Sequence, residues 1–483
     1  MPSASSCQTL ESAREAHRQG RCAEAEAFCR DLLERAPADG EVAYLLGLVL
    51  HQTGREAEAE KWLRQAAALN PRSPNAYYAL GCVYAASANA ASAAEAFARA
   101  LERNPAYLNA YYGLGNACYE LHDFERAVST YRQALALNPQ DYEIWNNLGR
   151  ALEALLRTGE ALAAYERAIE INPQFGLARS NHALTLLSLG QLQEGFREYE
   201  LRWRAVLPRS YPQPFWRGQP IPGKSLLVYA EQGLGDVIQF AGFISQARAR
   251  AGQVILECQP PLKRLFEHSG CADTVIAVGE SPPPFDYCVP VLSLPLALGT
   301  TLETLPRNPW LAAPVAEALP PVPPGHLKVG LVWAGSRTNF NDSRRSIPFP
   351  ELRPILQTPG IAFFSLQIPI RPEDLPRVCA TPHLVLLTER IKDFYDTAGC
   401  LAQMDLVISV DTAVAHLAGA LGKPVWTLVF YPGDWRWMLE RADSPWYPTM
   451  RLFRQSPSQS GQWQPVIARV AEALGRLRSI PQA

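Results

Sequence analysis

Small and large side chains recur at a fixed spacing through the first two hundred residues. A proline returns every 34 residues, at Pro37, Pro71, Pro105, Pro139 and Pro173. A glycine and an alanine keep the same period, at Gly47, Gly81, Gly115 and Gly149 and at Ala25, Ala59, Ala93, Ala127 and Ala161. A larger residue stands four places after each alanine, at Cys29, Leu63, Phe97, Tyr131 and Tyr165, and Tyr199 continues the same period. The pattern predicts two-helix units, because small residues let helices cross closely, a large one fills the gap and proline follows the second helix.

These units are predicted to begin near residues 6, 40, 74, 108, 142 and 176. The sixth unit is irregular, since Ala183 stands in the glycine position and Gly195 in the alanine position. Terminal units of a solenoid are often atypical, because one face meets something other than another repeat. We therefore predict an α-helical solenoid over residues 6–207 that ends against the rest of the chain.

The 34-residue period and its small and large positions resemble the tetratricopeptide repeat. That resemblance implies a groove for a protein or peptide partner, and the alternative is a rigid spacer. Amides serve helix packing poorly, so Asn109, Asn116, Asn146 and Asn147 are the better candidates for peptide contacts, although they do not define a site.

The pattern changes near residue 208, where short β-branched runs replace the helical period. Only seven of the 41 prolines precede residue 208. Strands are predicted at 226–230, 254–258, 274–278 and 287–291 in a first lobe, 225–310, and from 328, 361, 384, 406, 424 and 450 in a second lobe, 326–477. Helices are predicted at 393–404 and, last, at 461–477. Segment 208–224 is predicted to be a linker, held against a domain by Phe215 and Trp216. The fold class is therefore α followed by α/β, with a cleft between two lobes.

Segment 406–430 predicts a strand, a tight turn, a helix and a second strand. Ligands bind beyond the carboxyl ends of strands in open α/β sheets, and a helix N-terminus there offers N–H groups to an anion. We expect Thr412 and neighbouring N–H groups to bind the diphosphate of a nucleotide-sugar. Asp411 is expected to cap the helix or contact a sugar hydroxyl, because like charges repel. His416 is either a donor-site residue or a packed helical histidine.

In each lobe, a further candidate loop follows the first strand. In EQGLGDVIQF, 231–240, Gly233 and Gly235 form a turn and Asp236 is either a helix cap or a base facing the cleft. In WAGSRTNFNDSRRSIP, 333–348, Ser336 is expected to contact phosphate, and Arg344 and Arg345 to offset the charge of a leaving diphosphate. The alternative for that loop is a solvated surface.

The segment YPGDWRWMLERADSPWYP, 431–448, is rich in aromatic residues. Trp435, Trp437, Trp446 and Tyr447 either pack the lobes and the final helix together or form a platform for a base or sugar. Both interpretations stay open at this point.

Composition narrows the choice of function. The net charge of −2 gives no basic excess for nucleic acid or an anionic membrane. The ten cysteines form no CxxC or zinc-spaced cluster, which favours free thiols in a reducing cytoplasm. No signal peptide or run of 18 apolar residues is visible. The sequence has no DxD motif, which disfavours a glycosyltransferase that binds its donor through a metal ion. It has no P-loop, which disfavours an NTPase, and no GxSxG motif, which disfavours an α/β-hydrolase.

Taken together, GLGDVIQF, VGLVWAGS, RRSIP and ISVDTAVAHLAGALGKPVW resemble the family 9 glycosyltransferases, which include lipopolysaccharide heptosyltransferases. The resemblance covers about residues 225–475 and implies a GT-B fold, a nucleotide-diphosphate sugar donor, inversion and no metal or other cofactor. By motif it assigns Asp236 as base and Arg345, or Arg344, as the residue that stabilises the leaving diphosphate. Ser336 falls on the phosphate loop, and Asp411, Thr412 and His416 match the donor motif. Gln239 stands where the heptosyltransferases usually carry histidine.

The sequence therefore predicts an inverting, metal-independent glycosyltransferase with a repeat arm that presents a protein acceptor. Two alternatives stay open. One is a scaffold that binds nucleotide-sugar without turnover, and the other is a transferase acting on a lipopolysaccharide or polysaccharide. The repeats also resemble those of bacterial repeat-fused glycosyltransferases, and the pairing is similar to the O-GlcNAc transferases at the level of fold.

Overall fold

A computed structural model describes residues 9–204, 209, 211–339 and 341–478. The chain divides into two compact units, one through Ala178 and one from Arg179. We had placed this boundary at residue 207, and the structure places the last helical pair mainly with the second unit.

The first unit is built from helix pairs. Its helices are α1 (Leu10–Arg18), α2 (Cys22–Arg35), α3 (Gly40–Gln52), α4 (Glu56–Leu69), α5 (Pro74–Ala86), α6 (Ala90–Arg103), α7 (Leu108–Glu120), α8 (Phe124–Leu137), α9 (Tyr142–Ala154) and α10 (Thr158–Ile171). The first helices of the second to fifth pairs begin at residues 40, 74, 108 and 142, as the period predicts. Each periodic proline stands two residues beyond the end of a second helix, where it cannot disturb the helical hydrogen bonds.

Close helix crossing explains the periodic glycines. A Cβ atom on Gly115 would lie 2.3 Å from Cε1 of Tyr131, and one on Gly149 would lie 2.5 Å from Cε1 of Tyr165. Both distances are far inside van der Waals contact, so each ring packs against bare helix backbone. The small and large positions of the sequence pattern are therefore two halves of one contact.

The amides of the repeats serve this packing as well. Asn146 and Asn147 are buried. The amide of Asn147 donates to Oδ1 of Asn116 over 3.3 Å, and the same oxygen accepts the Tyr131 hydroxyl at 2.7 Å. Three of the four asparagines proposed for peptide contacts thus belong to an internal network, and that expectation was wrong for them. Asn109 is exposed.

Two helices lead into the second unit, α11 (Gly176–Ser188) and α12 (Leu192–Tyr199). Leu187, Leu192 and Phe196 share one hydrophobic core with Phe240 and Trp435 of the α/β lobes. The irregular sixth repeat is therefore part of the α/β core, which explains why its small residues depart from the pattern.

The first lobe is a four-stranded parallel sheet in the order β3-β2-β1-β4. Its elements are β1 (Ile221–Tyr229), α13 (Leu234–Phe240), α14 (Ile244–Arg248), β2 (Ala251–Cys258), α15 (Lys263–Ser269), β3 (Thr274–Ala277), β4 (Tyr287–Pro290) and α16 (Leu294–Leu298). Strand β1 begins inside the predicted linker 208–224. Of the two aromatic residues predicted to hold this segment, Trp216 is fully buried, whereas Phe215 is 40% exposed.

The second lobe is a six-stranded parallel sheet in the order β10-β9-β8-β5-β6-β7. Its elements are β5 (Leu327–Val332), α17 (Asp342–Arg345), α18 (Arg353–Leu356), β6 (Ile361–Ser365), α19 (Leu375–Cys379), β7 (Leu384–Leu386), α20 (Phe394–Ala402), β8 (Leu406–Val410), α21 (Ala413–Ala420), β9 (Val425–Val429), β10 (Met450–Arg454) and α22 (Gln464–Arg478). Counted from β5, this order is 3-2-1-4-5-6, the order of the Rossmann fold. The predicted class, a helical solenoid followed by two Rossmann-like lobes as in GT-B proteins, is confirmed.

Helices that could cross a membrane were also sought. Within the described ranges, no helix combines the length and apolar character that a crossing requires.

Candidate functional site

The strand order places the candidate site. In each sheet the order reverses beside the first strand, between β1 and β4 in one lobe and between β5 and β8 in the other. Ligands of open α/β sheets bind outside the carboxyl ends of the strands at such reversals. The described segments that leave these ends are 230–233 after β1, 333–339 and 341 after β5, and 411–412 after β8.

The two lobes meet at these loops. A Cβ atom on Gly235 would lie 3.0 Å from Cδ2 of His416 and 3.4 Å from Cα of Ala413. Helix α13 therefore begins in direct contact with the first turns of α21, and a side chain at position 235 would push them apart. This gives Gly235 a packing role between the two predicted motifs.

Asp236 uses its two carboxylate oxygens differently. Gly233, rather than Asp236, is the N-cap of α13; Asp236 is the third residue of the helix, and its Oδ2 accepts the backbone N–H of Gly233 over 2.8 Å. Oδ1 faces the other lobe and forms an ion pair with the guanidinium of Arg436. The side chain of Asp236 is 20% exposed. Asp236 thus bonds back to the N-cap residue through one oxygen and is a cleft residue through the other.

Arg436 is the main site residue that the sequence analysis missed. Its Nε donates to Oε1 of Gln239 over 2.9 Å and its Nη1 to Oδ1 of Asp434 over 2.9 Å, in addition to the pair with Asp236. Burial opposes the charge of this guanidinium, but Asp434 and Asp236 more than offset that effect and raise its pKa. The available signal was an arginine between two tryptophans, which we had interpreted for its aromatic neighbours alone.

The aromatic segment packs the lobes together. Trp435, Trp437, Trp446 and Tyr447 are all buried. Trp446 contacts the rings of Phe240 and Phe243 at 6.0 and 6.4 Å between centroids. Of the two interpretations of segment 431–448, lobe packing is the one that this burial supports, and an accessible platform of these four rings is not formed. Trp446 thus contacts two rings of the first lobe, besides that of Trp435 in its own lobe.

The two adjacent arginines of the second lobe point to different places. Nη1 of Arg345 donates to the backbone oxygen of Asp411 over 3.1 Å, so Arg345 lies at the β5/β8 reversal. A Cβ atom on Gly335 would lie 2.4 Å from Nη2 of Arg345, and glycine there lets the guanidinium rest on the backbone. Arg344 donates instead to the backbone oxygen of Tyr431 over 2.8 Å. Ser336 is exposed, and its hydroxyl lies 2.8 Å from that of Thr338.

Thr412, rather than Asp411, occupies the N-cap position of α21. The hydroxyl of Thr412 lies 2.9 Å from that of Ser409 and does not bond to the N–H groups of the first turn. Asp411 therefore does not cap the helix as we had predicted. Burial first, and the nearby Asp434 charge next, raise the pKa of the Asp411 carboxyl to about 6. The sugar-contact role of Asp411 stays a prediction.

His416 is a packed residue beside this carboxylate. Its Nδ1 lies 2.8 Å from the Tyr447 hydroxyl, and its ring stacks on Trp437 at 5.1 Å between centroids. Nε2 lies 3.9 Å from Oδ1 of Asp411. Burial, together with the charge of Arg436, lowers the pKa of His416 to about 3, so the imidazole is neutral at physiological pH. The packing interpretation of His416 is supported, and only its Nε2 edge faces a site residue.

Metal ligands were sought over the same residues. Across 9–204, 209, 211–339 and 341–478, no group of three or more His, Cys, Asp or Glu side chains is placed to hold a metal ion. The described cysteines are free thiols.

Models of two known families match parts of the chain. The model of the tetratricopeptide repeat matches residues 10–74, 78–127 and 119–174. The model of glycosyltransferase family 9 (heptosyltransferase) matches residues 391–434. The chain therefore carries a stretch that matches the tetratricopeptide repeat, followed by a short segment that is similar to family 9 glycosyltransferases. Asp411, Thr412 and His416 lie inside the matched glycosyltransferase segment, whereas Asp236 and Arg345 lie outside it.

One curated relative and several solved structures are similar to parts of this chain. Protein FlbA of Caulobacter vibrioides is 33% identical over 329 residues, which are 60% of this chain and 54% of that protein. The chain thus spans about half the length of this relative. The crystal structure of MamA is 23% identical over 34% of this chain and 90% of its own, with a TM-score of 0.33. YrrB, described as a TPR protein with an unusual peptide-binding site, is 21% identical over 35% and 87%, with a TM-score of 0.33.

Proposed function

We propose that the second unit is an inverting, metal-independent glycosyltransferase that moves a sugar from a nucleotide-diphosphate sugar to an acceptor hydroxyl. One observation carries the proposal: Asp236 follows Gly235 at the strand reversal of one lobe, and Gly235 packs against the first turn of α21 at the reversal of the other, where Arg345 donates to the backbone oxygen of Asp411. An acid–base group and an anion site are the two parts that such a transfer needs.

The donor diphosphate would lie at the start of α21, beside Arg345. Thr412 leaves the first-turn N–H groups uncapped by its own side chain, and these groups carry the positive end of the helix dipole. Nε of Arg345 is buried and, among the described residues, has no hydrogen-bond partner. A buried unpaired donor is costly and favours an anionic ligand. These fixed positive groups would stabilise the diphosphate as it leaves, a role that a metal ion has in other transferases.

The acceptor hydroxyl would be deprotonated by Asp236. The oxygen of the acceptor hydroxyl attacks the anomeric carbon while the bond from that carbon to the diphosphate breaks. The hydroxyl proton passes to Asp236, and the negative charge leaves with the nucleoside diphosphate. Attack from the face opposite the leaving group inverts the anomeric centre. Each carboxylate oxygen has two lone pairs, so the bonds from Gly233 and Arg436 leave Asp236 able to accept one more proton.

The acceptor is proposed to be a protein that the repeats present. Tetratricopeptide repeats serve protein–protein interaction, and the repeat unit precedes the transferase unit in the same chain. A polysaccharide acceptor would need no such repeats for recognition. If the protein modifies glycan acceptors and no protein acceptor, the acceptor is a polysaccharide instead.

A thermal-shift panel of nucleotide-sugars tests the donor site. We expect one nucleoside diphosphate family to raise the melting temperature of the full chain, because a ligand that binds only the folded state stabilises it. The rise should be lost in Arg345→Ala and kept in Arg337→Ala, a control on the same loop that pairs with Glu373 and is 62% exposed. No response to any donor would contradict the donor site. A response without release of nucleoside diphosphate would support the scaffold instead.

A further inference from the structure

The loop that carries Asp236 is strained and is held from outside its own lobe. Gln232 has a backbone φ of +59°, in the left-handed region that non-glycine residues rarely adopt. Such conformations persist only where surrounding contacts enforce them, and they concentrate at functional sites. The contacts to this residue come from the end of the helical repeats and from Gln259 of its own lobe.

Tyr199, the last residue of α12, contacts the strained residue directly. The Nε2 atom of Gln232 donates to the Tyr199 hydroxyl over 3.0 Å. On the other side, Nε2 of Gln259 donates to the Gln232 backbone oxygen over 3.1 Å. The Tyr199 ring also lies 6.4 Å from the ring of Trp435, next to Arg436. Tyr199 therefore contacts the loop on one lobe and the segment of Arg436 on the other.

Arg202 fixes the residue before the strained one. Its Nη2 donates to Oε1 of Glu231 over 2.7 Å and its Nε to Oε2 over 3.2 Å, and both side chains are 11% exposed. Oε1 of Glu231 also accepts the N–H of Leu292, which follows β4. Nη2 of Arg202 also donates to the Ser293 hydroxyl over 2.8 Å. Arg202 thus ties the loop after β1 to the loop after β4, at the strand reversal of the first lobe.

We propose that Tyr199 and Arg202 are positioning residues of the transferase site, which hold Glu231 and Gln232, and through them Asp236, in the geometry needed for proton transfer. The sixth repeat thereby supplies part of the site. Its sequence pattern already contained Tyr199 as the large position of the 34-residue period. In the sixth repeat this large residue, Tyr199, contacts Gln232, whereas Tyr165 in the fifth repeat packs against Gly149 of the neighbouring helix. The inference rests on the proposed function for its catalytic consequence, but not for the loop geometry.

The first test compares Tyr199→Phe with Tyr165→Phe. Both variants remove one hydroxyl and keep the ring, and the Tyr165 hydroxyl contacts Glu153 within the repeats, away from the loop. Hydrogen exchange of peptides covering 230–240 should be at least about threefold faster in Tyr199→Phe, because the loop opens more often. It should be unchanged in Tyr165→Phe. Equal exchange in all three proteins would overturn the inference.

The second test measures release of nucleoside diphosphate from the nucleotide-sugar that stabilises the protein most. We expect Tyr199→Phe to lower kcat by about 10-fold or more, with the donor KM within about twofold, because a misplaced base costs the transition state and leaves donor binding intact. Arg202→Lys keeps the charge but loses the bidentate contact with Glu231, and it should likewise lower kcat while leaving the donor KM nearly unchanged. A rise in the donor KM of about the same factor, or an unchanged kcat, would contradict a positioning role for Tyr199 and Arg202. If the unaltered chain releases no nucleoside diphosphate, the proposed function fails, while hydrogen exchange still decides the loop geometry.

Discussion

Replacing Arg436 by methionine should destabilise the second unit. Methionine keeps most of the apolar stem but removes a guanidinium that is 9% exposed and bonds to Asp236, Asp434 and Gln239. Removing one member of a buried ion pair typically costs about 3–5 kcal/mol, because the remaining charge stays unpaired. Asp236 and Asp434 are 20% and 32% exposed, so water compensates in part and we expect about 2–3 kcal/mol.

The assay is urea or thermal unfolding of the full chain, followed by tryptophan fluorescence. Trp435, Trp437 and Trp446 lie beside Arg436 and contribute to this signal together with the other eight tryptophans, so the transition that shifts in the variant is the one compared. A loss of that size should lower the melting temperature of this transition by about 4–10 °C. The matched control is Arg441→Met in the same segment. Its partner Asp443 is 67% exposed, and the change should cost less than about 1 kcal/mol.

A double-mutant cycle assigns the cost to the pair across the lobes. With Asp236→Asn, we expect a coupling free energy of about 1–2 kcal/mol between positions 236 and 436. A melting temperature for Arg436→Met equal to that of the unaltered chain, or a coupling of zero, would refute the view that this ion pair holds the lobes together.

Two further predictions concern the repeat packing and the donor site. Gly115→Ala should destabilise the first unit by about 3 kcal/mol in circular-dichroism melts, because its Cβ would lie 2.3 Å from Tyr131. Gly159→Ala, with no neighbour within 4 Å, should stabilise it by up to about 1 kcal/mol, and equal effects would contradict the packing argument. Donor affinity, measured by calorimetry, should fall as pH rises through about 6, because Asp411 ionises there and repels the diphosphate, whereas Asp411→Asn should remove this dependence. A pH-dependence retained in Asp411→Asn would assign it to another group.

The periodic part of the fold could be predicted from sequence because the same contact recurs in each repeat. A glycine and a large residue, such as Gly115 and Tyr131, meet in one helix crossing, so a single physical constraint leaves marks 34 residues apart. The buried strands were predicted for a similar reason, since a parallel sheet covered on both faces requires short runs of apolar residues. The amides were misjudged, because a network such as that of Asn116 and Asn147 depends on two repeats together.

The candidate site was less predictable, since it depends on which residues of the two lobes meet. Asp236 and Arg345 each follow the first strand of a lobe, a position that chain order reveals. Arg436 lies 200 residues from Asp236, and no local pattern indicates that pair. The cap of α21 was misassigned by one residue, because a sequence pattern does not show whether Thr412 or Asp411 adopts the N-cap conformation.

The proposed mechanism depends on Asp236 as the base of a sugar transfer. The most direct measurement is the rate of nucleoside diphosphate release by the unaltered chain and by Asp236→Asn, with donor affinity measured in parallel. Asp286→Asn, on the same lobe and paired with Lys224, is the matched control. We predict that Asp236→Asn binds the donor with a similar Kd but releases product at least about 100-fold more slowly, the usual contribution of a general base. Release by Asp236→Asn at the unaltered rate, or donor binding by the unaltered chain without any release, would contradict the claim.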